Sequence, residues 1–197
     1  MKAVRIKQQG GPEVMSFDDI DQPQPAATEV LIKIEAAGIN YIDTYQRSGL
    51  YQIPLPTTLG LEASGTVAGI GSDVSRFKTG DRVAYTNVLG AYAEYSALDQ
   101  DKVVALPDGV SFNEGAAAML QGCTAHYLSQ STYPIKKGDS CLIHAAAGGV
   151  GLILTQMAKN AGAYVIGTVS TPEKAELAHL AVEMRSFSTP RPILRLK

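Results

Sequence analysis

The chain has 197 residues, of which 45% are hydrophobic and 18% are charged, as in an ordinary soluble globular protein. Its formal net charge of −2 gives no electrostatic case for binding nucleic acid or a membrane, and no apolar run approaches the roughly 20 residues of a membrane span. The N-terminus lacks an apolar core of the secretory type, so we expect a cytoplasmic protein of one or two domains. Cys123 and Cys141 stand in apolar surroundings and are expected to be buried thiols.

The first hundred residues consist mainly of short β-branched or alternating segments separated by glycine-containing turns. Such segments predict strands, and many short strands with such turns are typical of a small barrel or sandwich. The exception is Asn40–Ser48, a predicted short helix with an asparagine at its N-cap. The predicted strands are Lys2–Lys7, Val30–Ala36, Glu62–Ile70, Asp81–Tyr85 and Ala91–Leu98.

The composition changes after residues 106–109, and helices and strands then alternate. Ser111 and Glu114 form a capping-box pattern ahead of an alanine-rich segment. Alternating strands and helices predict a parallel sheet with crossover helices, so a boundary between two regions is expected near residues 107–125. The predicted elements are a helix over Ala116–Gln130, a strand over Cys141–Ala145, a helix over Val150–Ala161, a strand over Tyr164–Val169 and a helix after Pro172.

A glycine-rich turn joins the Cys141–Ala145 strand to the helix that follows it. Strand, glycine turn and helix together offer backbone N–H groups and a helix N-terminus to a pyrophosphate. The alternative is purely structural, because small residues also let a helix pack closely on a sheet. The candidate pyrophosphate-binding residues are Ala147, Gly148, Gly149, Val150 and Gly151.

The segment Gly138–Lys159 matches the pattern G-D-x-x-L-x-x-x-A-A-G-G-x-G-x-x-x-x-Q-x-x-K at every fixed position. With the segments EAAGINYIDTYQRSGLY (35–51), LGLEASGTV (59–67), KTGDRVAY (78–85) and GAYAEY (90–95), the chain resembles the zeta-crystallin-type quinone oxidoreductases of the medium-chain dehydrogenase/reductase superfamily. The resemblance covers about residues 2–180.

The resemblance implies an α/β plus β fold: a GroES-like N-terminal barrel followed by a partial Rossmann domain with a doubly wound parallel sheet. We assign residues 1–120 to the barrel, or substrate, domain, 121–184 to the partial NADPH-binding domain and 185–197 to an atypical basic tail. That tail carries a charge of +4 with no acid, and is expected to be a disordered or frame-shifted end rather than a surface for an acidic partner.

The activity that the resemblance implies is transfer of reducing equivalents from NADPH to a small-molecule quinone by a zinc-independent enzyme. The family also implies a homodimer, but we expect the usual dimer strand and the second half of the Rossmann domain to be missing, as in a truncated product. Two alternatives stay open: a non-catalytic truncated barrel module, and an enoyl or alkenal reductase of the same superfamily.

The candidate catalytic residues by resemblance are Asn40, Asp43, Tyr45 and Tyr51. Asn40 is expected to face the nicotinamide and the substrate, and the others to line or organise the quinone pocket, where tyrosine rings offer flat apolar faces. The structural alternatives are that Asn40 only caps its helix, that Asp43 is a hydrogen-bond acceptor and that the tyrosines fill the barrel.

The cofactor is expected to be NADPH. Folds specific for NAD place an acid about 20 residues beyond the glycine turn, whereas here the second strand ends at Thr168-Val169-Ser170 without one. Ser170 and Lys174 are therefore candidate cofactor-binding residues, and the Lys174 ammonium could meet a 2′-phosphate. A solvated lysine is the alternative. By resemblance, Thr124 and Tyr127 contact the cofactor, or else bond back along their own helix. His144 is expected to be a core histidine.

No metal site is expected. A catalytic zinc needs about three protein ligands and an open position, and zinc-dependent relatives have a Cys where Asn40 stands and a His where Leu61 stands. None of the histidines forms a ligand-spaced pair with a cysteine.

Overall fold

The structure, a computed structural model, describes residues 1–183, and the predicted tail over 185–197 lies outside the described residues. The chain forms two compact units that divide between Leu120 and Gln121. The first unit begins with β1 (Lys2–Ile6), β2 (Met15–Asp19), β3 (Glu29–Ala37), α1 (Tyr41–Ser48) and β4 (Thr57–Thr58). It continues with β5 (Glu62–Ile70), β6 (Arg82–Thr86), β7 (Tyr95–Asp99) and β8 (Val103–Ala105). Helix α2 (Phe112–His126) contains the division between the units.

The core of the first unit lies on a five-stranded antiparallel sheet with strand order β7-β3-β5-β6-β8. Irregularities in the β3–β5 register fall at Leu31/Ile32 and Ile34/Ala36, and such bulges bend and twist a strand. A second antiparallel sheet has the order β2-β1-β4, and the two sheets confirm the predicted GroES-like fold. Apolar residues alternating along these strands make the core: Val30, Ile32, Ala63, Val67, Val83, Tyr85, Leu98 and Val103.

The second unit holds the predicted βαβ arrangement. Strands β9 (Ser140–Ile143) and β10 (Tyr164–Gly167) pair in parallel, with α3 (Gly149–Asn160) between them in sequence and α4 (Pro172–Glu183) after them. Helix α3 packs on both strands and on α4. The parallel strands and helices confirm the predicted Rossmann-type element. Over residues 1–183, no helix is long and apolar enough to cross a membrane.

Several predicted boundaries were wrong. The strand predicted from Ala91 begins at Tyr95, because the chain at Ala93 makes only an isolated bridge to Ala3. The helix predicted to Gln130 ends at His126 and continues as a π-helical turn over Tyr127–Thr132, where the Ser129 hydroxyl donates to the Ala125 carbonyl over 2.8 Å. Strands β2, β4 and β8 went unpredicted. Strands β4 and β8 have two and three residues, too few to show a period, and β2 ends in Asp18 and Asp19, a residue type that is depleted in strands.

The helix start predicted at Ser111 is confirmed. Its hydroxyl donates to a Glu114 side-chain oxygen over 2.7 Å and accepts from the Glu114 backbone N–H over 3.2 Å. The prediction of buried thiols is wrong, because Cys123 is exposed and Cys141 is half-buried. Apolar neighbours in sequence do not ensure burial in a unit with two described strands, where Leu142 and Tyr164 are also exposed.

Candidate functional site

The glycine turn between β9 and α3 is tight and reaches the surface. Ala145 has a φ of 51°, and the Gly148 N–H donates to the Ala145 carbonyl over 2.8 Å. Helix α3 begins at Gly149 with Gly148 as its N-cap. Gly151 is buried, and a Cβ there would lie 2.3 Å from the Ala145 carbonyl oxygen and 2.8 Å from the Ala146 Cα. The turn can keep this shape only with glycine at 151.

This turn fits an anion. Gly148 and Gly149 are exposed, and Ala147 and Val150 are half-buried, so the backbone at the start of α3 is accessible. The first N–H groups of a helix point outward along its axis, and the helix dipole favours negative charge there. The predicted pyrophosphate-binding residues therefore lie together around one helix N-terminus.

The end of β10 places Ser170 and Lys174 side by side. The Lys174 ammonium donates to the Ser170 hydroxyl over 3.1 Å, and both residues are exposed. The Thr171 hydroxyl accepts from the Lys174 backbone N–H over 3.3 Å, which fixes the first turn of α4. A hydroxyl and an ammonium directly after a parallel strand are suited to an anionic ligand group.

The prediction of a core histidine at His144 is wrong. The side chain is exposed because β9 ends one residue earlier, at Ile143. Its Nδ1 lies 3.1 Å from the hydroxyl of Thr168 beyond β10, so the ring is held at the carboxyl ends of both strands. Of the predicted cofactor contacts, Thr124 is half-buried on α2 and Tyr127 is 49% exposed in the π-helical turn.

In the first unit, Asn40 and Asp43 are buried at the start of α1. The Asn40 backbone N–H donates to Asp43 Oδ2 over 2.8 Å, which is one arm of a capping box with Asn40 as N-cap. Asp43 Oδ2 also accepts from the Tyr92 hydroxyl over 2.5 Å. The capping role proposed for Asn40 and the acceptor role proposed for Asp43 are therefore present.

The side chain of Asn40 has a second fixed partner, Glu62 on β5. Asn40 Nδ2 donates to Glu62 Oε1 over 2.7 Å, and the Leu120 backbone N–H donates to Glu62 Oε2 over 2.6 Å. Burial raises the pKa of the Glu62 carboxyl above its usual value, while these two hydrogen bonds act against the rise. Burial, followed by the hydrogen bond and charge of Asp43, also raises the pKa of the Tyr92 hydroxyl.

Neither Glu62 nor Tyr92 was among the predicted site residues. Both contact the start of α1 from strands or loops far away in sequence, so local patterns do not reveal them. One signal was available for Glu62: it is a charged residue between Leu61 and Ala63 in a strand whose first residues are otherwise small or apolar. Such a charge must find hydrogen-bonding partners when buried.

A cavity of about 730 Å³ adjoins these residues within the first unit. Asn40, Asp43 and Tyr92 are part of its wall, and most of the remainder is apolar. The apolar wall residues are Val4, Met15, Phe17, Ile34, Ala37, Ile39, Leu59 and Ala93. Tyr45 and Tyr51 are not among the described residues that line this cavity.

Tyr45 and Tyr51 lie instead in a cluster of three tyrosines with Tyr41. The ring centroids are 5.3 Å apart for Tyr41 and Tyr45 and 5.4 Å apart for Tyr45 and Tyr51. Tyr41 is 76% exposed and Tyr51 is 50% exposed, so these two rings do not fill the barrel. The tyrosine cluster presents flat apolar ring surface and hydroxyl groups to solvent.

Asn40 and Leu61 stand where zinc-dependent relatives have metal ligands, and in this structure both residues have other contacts. Leu61 is buried directly before β5, and the Asn40 amide is bonded to Glu62. Among residues 1–183, no group of three or more His, Cys, Asp or Glu side chains is arranged to hold a metal ion.

Comparison with known proteins gives consistent matches. The alcohol dehydrogenase GroES-like domain family matches residues 26–108. A quinone oxidoreductase of Pseudomonas aeruginosa is 51% identical over 191 residues, which cover 95% of this chain and 59% of that protein. Quinone oxidoreductase 1 of Escherichia coli is 48% identical over 177 residues, covering 89% and 54%.

A solved structure gives the same result in three dimensions. Escherichia coli quinone oxidoreductase complexed with NADPH aligns with a TM-score of 0.90 and 46% identity, over 92% of this chain and 56% of that chain. The chain thus spans little more than half the length of the relatives that it matches.

Proposed function

We propose that the chain is a quinone oxidoreductase of the medium-chain dehydrogenase/reductase superfamily, to whose members it is similar, and that it transfers reducing equivalents from NADPH to a quinone. The observation that carries this proposal is the 51% identity to a quinone oxidoreductase over 95% of the chain. The enoyl or alkenal reductase reading is less favoured, because the most similar curated relatives are named quinone oxidoreductases.

The second unit is proposed to bind NADPH. Gly148, Gly149 and the first N–H groups of α3 would hold the pyrophosphate, and the buried Gly151 would keep the turn tight against the Ala145 carbonyl. Ser170 and Lys174 would bind the 2′-phosphate, which favours NADPH over NADH. The structure of an Escherichia coli relative complexed with NADPH supports this assignment. Bound NADPH supplies the reducing equivalents.

The quinone is proposed to bind at the start of α1. The exposed ring of Tyr51 and the half-buried ring of Tyr45 would stack on the flat quinone ring, while the Asn40 amide would orient it. Chemistry of this kind depends on positioning, because donor and acceptor must meet in near-attack geometry. The apolar cavity of the first unit is a competing quinone site. Phe17 is an exposed residue of its wall, so substitution of Phe17 distinguishes the two sites.

The activity is proposed to be independent of zinc. Asn40 and Leu61 stand where zinc-dependent relatives have ligands, and neither offers the thiolate or imidazole that zinc prefers. We also propose a cytoplasmic location, because both cysteines are free thiols and free thiols suit a reducing compartment.

The function is tested by steady-state assays of the 197-residue chain with NADPH in the presence of a chelator. We expect simple quinones to be reduced, and 2-alkenals or enoyl thioesters to react at least about tenfold more slowly in kcat/KM. Faster turnover of an alkenal contradicts the quinone assignment. A folded chain that binds no NADPH and reduces nothing supports the non-catalytic module instead.

A further inference from the structure

We propose that Glu62 is a positioning residue that fixes the orientation of the Asn40 side-chain amide for the reaction proposed above. The inference rests on the proposed function only for its catalytic consequence, since the contact belongs to the first unit alone. Glu62 is not one of the candidate residues derived from the sequence, and its role follows from three observations of the structure.

The first observation is that the Glu62 carboxylate is fully buried and doubly bonded. Its side chain has no solvent exposure, and each oxygen accepts from one donor: Oε1 from Asn40 Nδ2 at 2.7 Å and Oε2 from the Leu120 N–H at 2.6 Å. A buried carboxylate is costly unless its oxygens are hydrogen-bonded. The fold therefore holds both donors in place around it.

The second observation is that Asn40 is held through both its backbone and its side chain. Its backbone N–H is bonded to Asp43, which in turn accepts from the Tyr92 hydroxyl, and its side-chain Nδ2 is bonded to Glu62. Turning the Asn40 amide over would place its Oδ1, instead of Nδ2, against Glu62 Oε1. A charge-assisted hydrogen bond would then be replaced by repulsion between two oxygen atoms. The Oδ1 atom is consequently directed away from Glu62, and the amide has one preferred polarity.

The third observation is close packing behind the carboxylate. A Cβ at Gly38 would lie within 2.5 Å of three atoms of the Glu62 side chain, and the Gly38 N–H donates to the Glu62 backbone carbonyl over 3.0 Å. The carboxylate therefore has little room to move, and only glycine at 38 leaves space for it.

A glutamate is needed here rather than its amide. Two donors converge on residue 62, and a carboxylate offers two acceptor oxygens, whereas a glutamine offers one oxygen and one NH₂ group. In the Glu62→Gln variant, Asn40 or Leu120 must lose its hydrogen bond to residue 62, or the Asn40 amide must turn over. Either change alters what Asn40 presents to a reactant without adding or removing volume.

The hydrogen bond between Asn40 and Glu62 is tested first, by NMR of the ¹⁵N-labelled 197-residue chain, a measurement that does not depend on enzymatic activity. We expect the Asn40 side-chain NH₂ signal, assigned with Asn40→Ala, to move in Glu62→Gln and to stay in place in the control Ser64→Ala. Ser64 is also fully buried on β5 but bonds to the Phe112 carbonyl. An Asn40 signal that is the same in wild type and Glu62→Gln overturns the proposal.

Should Glu62→Gln not fold, the wild-type chain supplies the same answer. Lowering the pH protonates Glu62 and removes one acceptor, so the Asn40 NH₂ signal should titrate together with the ¹³C signal of the Glu62 carboxyl. Asp43 and Tyr92 also face this group, and their signals are followed to separate their effects. An Asn40 signal that follows only Asp43, or none of these groups, overturns the proposal.

Kinetics then test the consequence for the reaction. Glu62→Gln should lower kcat about 10- to 100-fold, as loss of a charge-assisted hydrogen bond does, while KM for the quinone changes less than about twofold. In an Asn40→Ala background the same substitution should have no further effect on kcat. An equal loss in both backgrounds contradicts action through Asn40. If the wild-type chain has no turnover, the proposed function fails and the NMR result alone decides the role of Glu62.

Discussion

The glycine turn between β9 and α3 allows a quantitative prediction for Gly151→Ala. A Cβ at this position would lie 2.3 Å from the Ala145 carbonyl oxygen and 2.8 Å and 2.9 Å from two backbone atoms of Ala146. Because all three are backbone atoms, the whole turn must shift by about 1 Å to restore contact distances near 3.5 Å. Strain of this kind costs about 1–3 kcal/mol.

The matched control is Gly122→Ala on α2. No atom lies within 4 Å of a Cβ built there, so the substitution should stabilise the helix by about 1 kcal/mol. Since about 1 kcal/mol moves the Tm of a small domain by about 4–8 °C, thermal unfolding followed by circular dichroism should separate the two variants by at least 8 °C. Equal Tm values, or a more stable Gly151→Ala, refute the steric reasoning.

The same variant tests the proposed role of the turn in cofactor binding. A shift of the turn displaces the N–H groups at the start of α3, and one lost hydrogen bond to a charged phosphate costs about 1.5–3 kcal/mol. We therefore expect Gly151→Ala to raise the Kd for NADPH about tenfold or more, measured by nicotinamide fluorescence below the Tm of the variant. An unchanged Kd contradicts the placement of the pyrophosphate.

Three further predictions concern separate parts of the molecule. Tyr51→Ala should raise KM for the quinone about tenfold through lost ring contact, while Phe17→Ala in the apolar cavity should not change it; the opposite pattern assigns the quinone to the cavity. Lys174→Met should weaken NADPH binding about two- to fivefold and leave NADH binding unchanged, as removal of one exposed charge would; equal losses for both cofactors remove Lys174 from the 2′-phosphate site. Burial raises the pKa of Tyr85 to about 12 from 10.0; because the folded state then binds the proton more tightly, the contribution of Tyr85 to stability should be constant below pH 10 and fall by about 3 kcal/mol between pH 10 and 12. Tyr85→Phe should reduce this slope in denaturant midpoints and leave the part due to Tyr92, whose pKa is also raised; an unchanged slope contradicts the assignment to Tyr85.

Local features of the fold were predictable from the sequence. The Asn40 cap, the Ser111 capping box and the glycine turn each depend on residues three or four positions apart, and the structure has all three. Alternating apolar residues also marked the long strands β3 and β5. Short strands such as β8, and the π-helical turn after α2, depend on pairing and packing that a short window does not contain.

The contacts of the candidate site were less predictable. Asn40 and Glu62 are 22 positions apart, and Asp43 and Tyr92 are 49 positions apart, so their hydrogen bonds exist only once the sheet has formed. The exposure of His144 depends on β9 ending at Ile143, an end that is set by pairing with β10 rather than by the local sequence. The family resemblance proposed Asn40 and Asp43 as site residues, but it did not give the side chains that hold them.

The most direct test of the account is a titration of the 197-residue chain with NADPH, followed by addition of a simple quinone in the presence of a chelator. We expect a saturable change in nicotinamide fluorescence, then loss of NADPH when quinone is added, at a rate that the chelator does not change. A folded chain that shows no saturable binding, or an activity that the chelator abolishes, contradicts the central claim of a zinc-independent NADPH:quinone oxidoreductase.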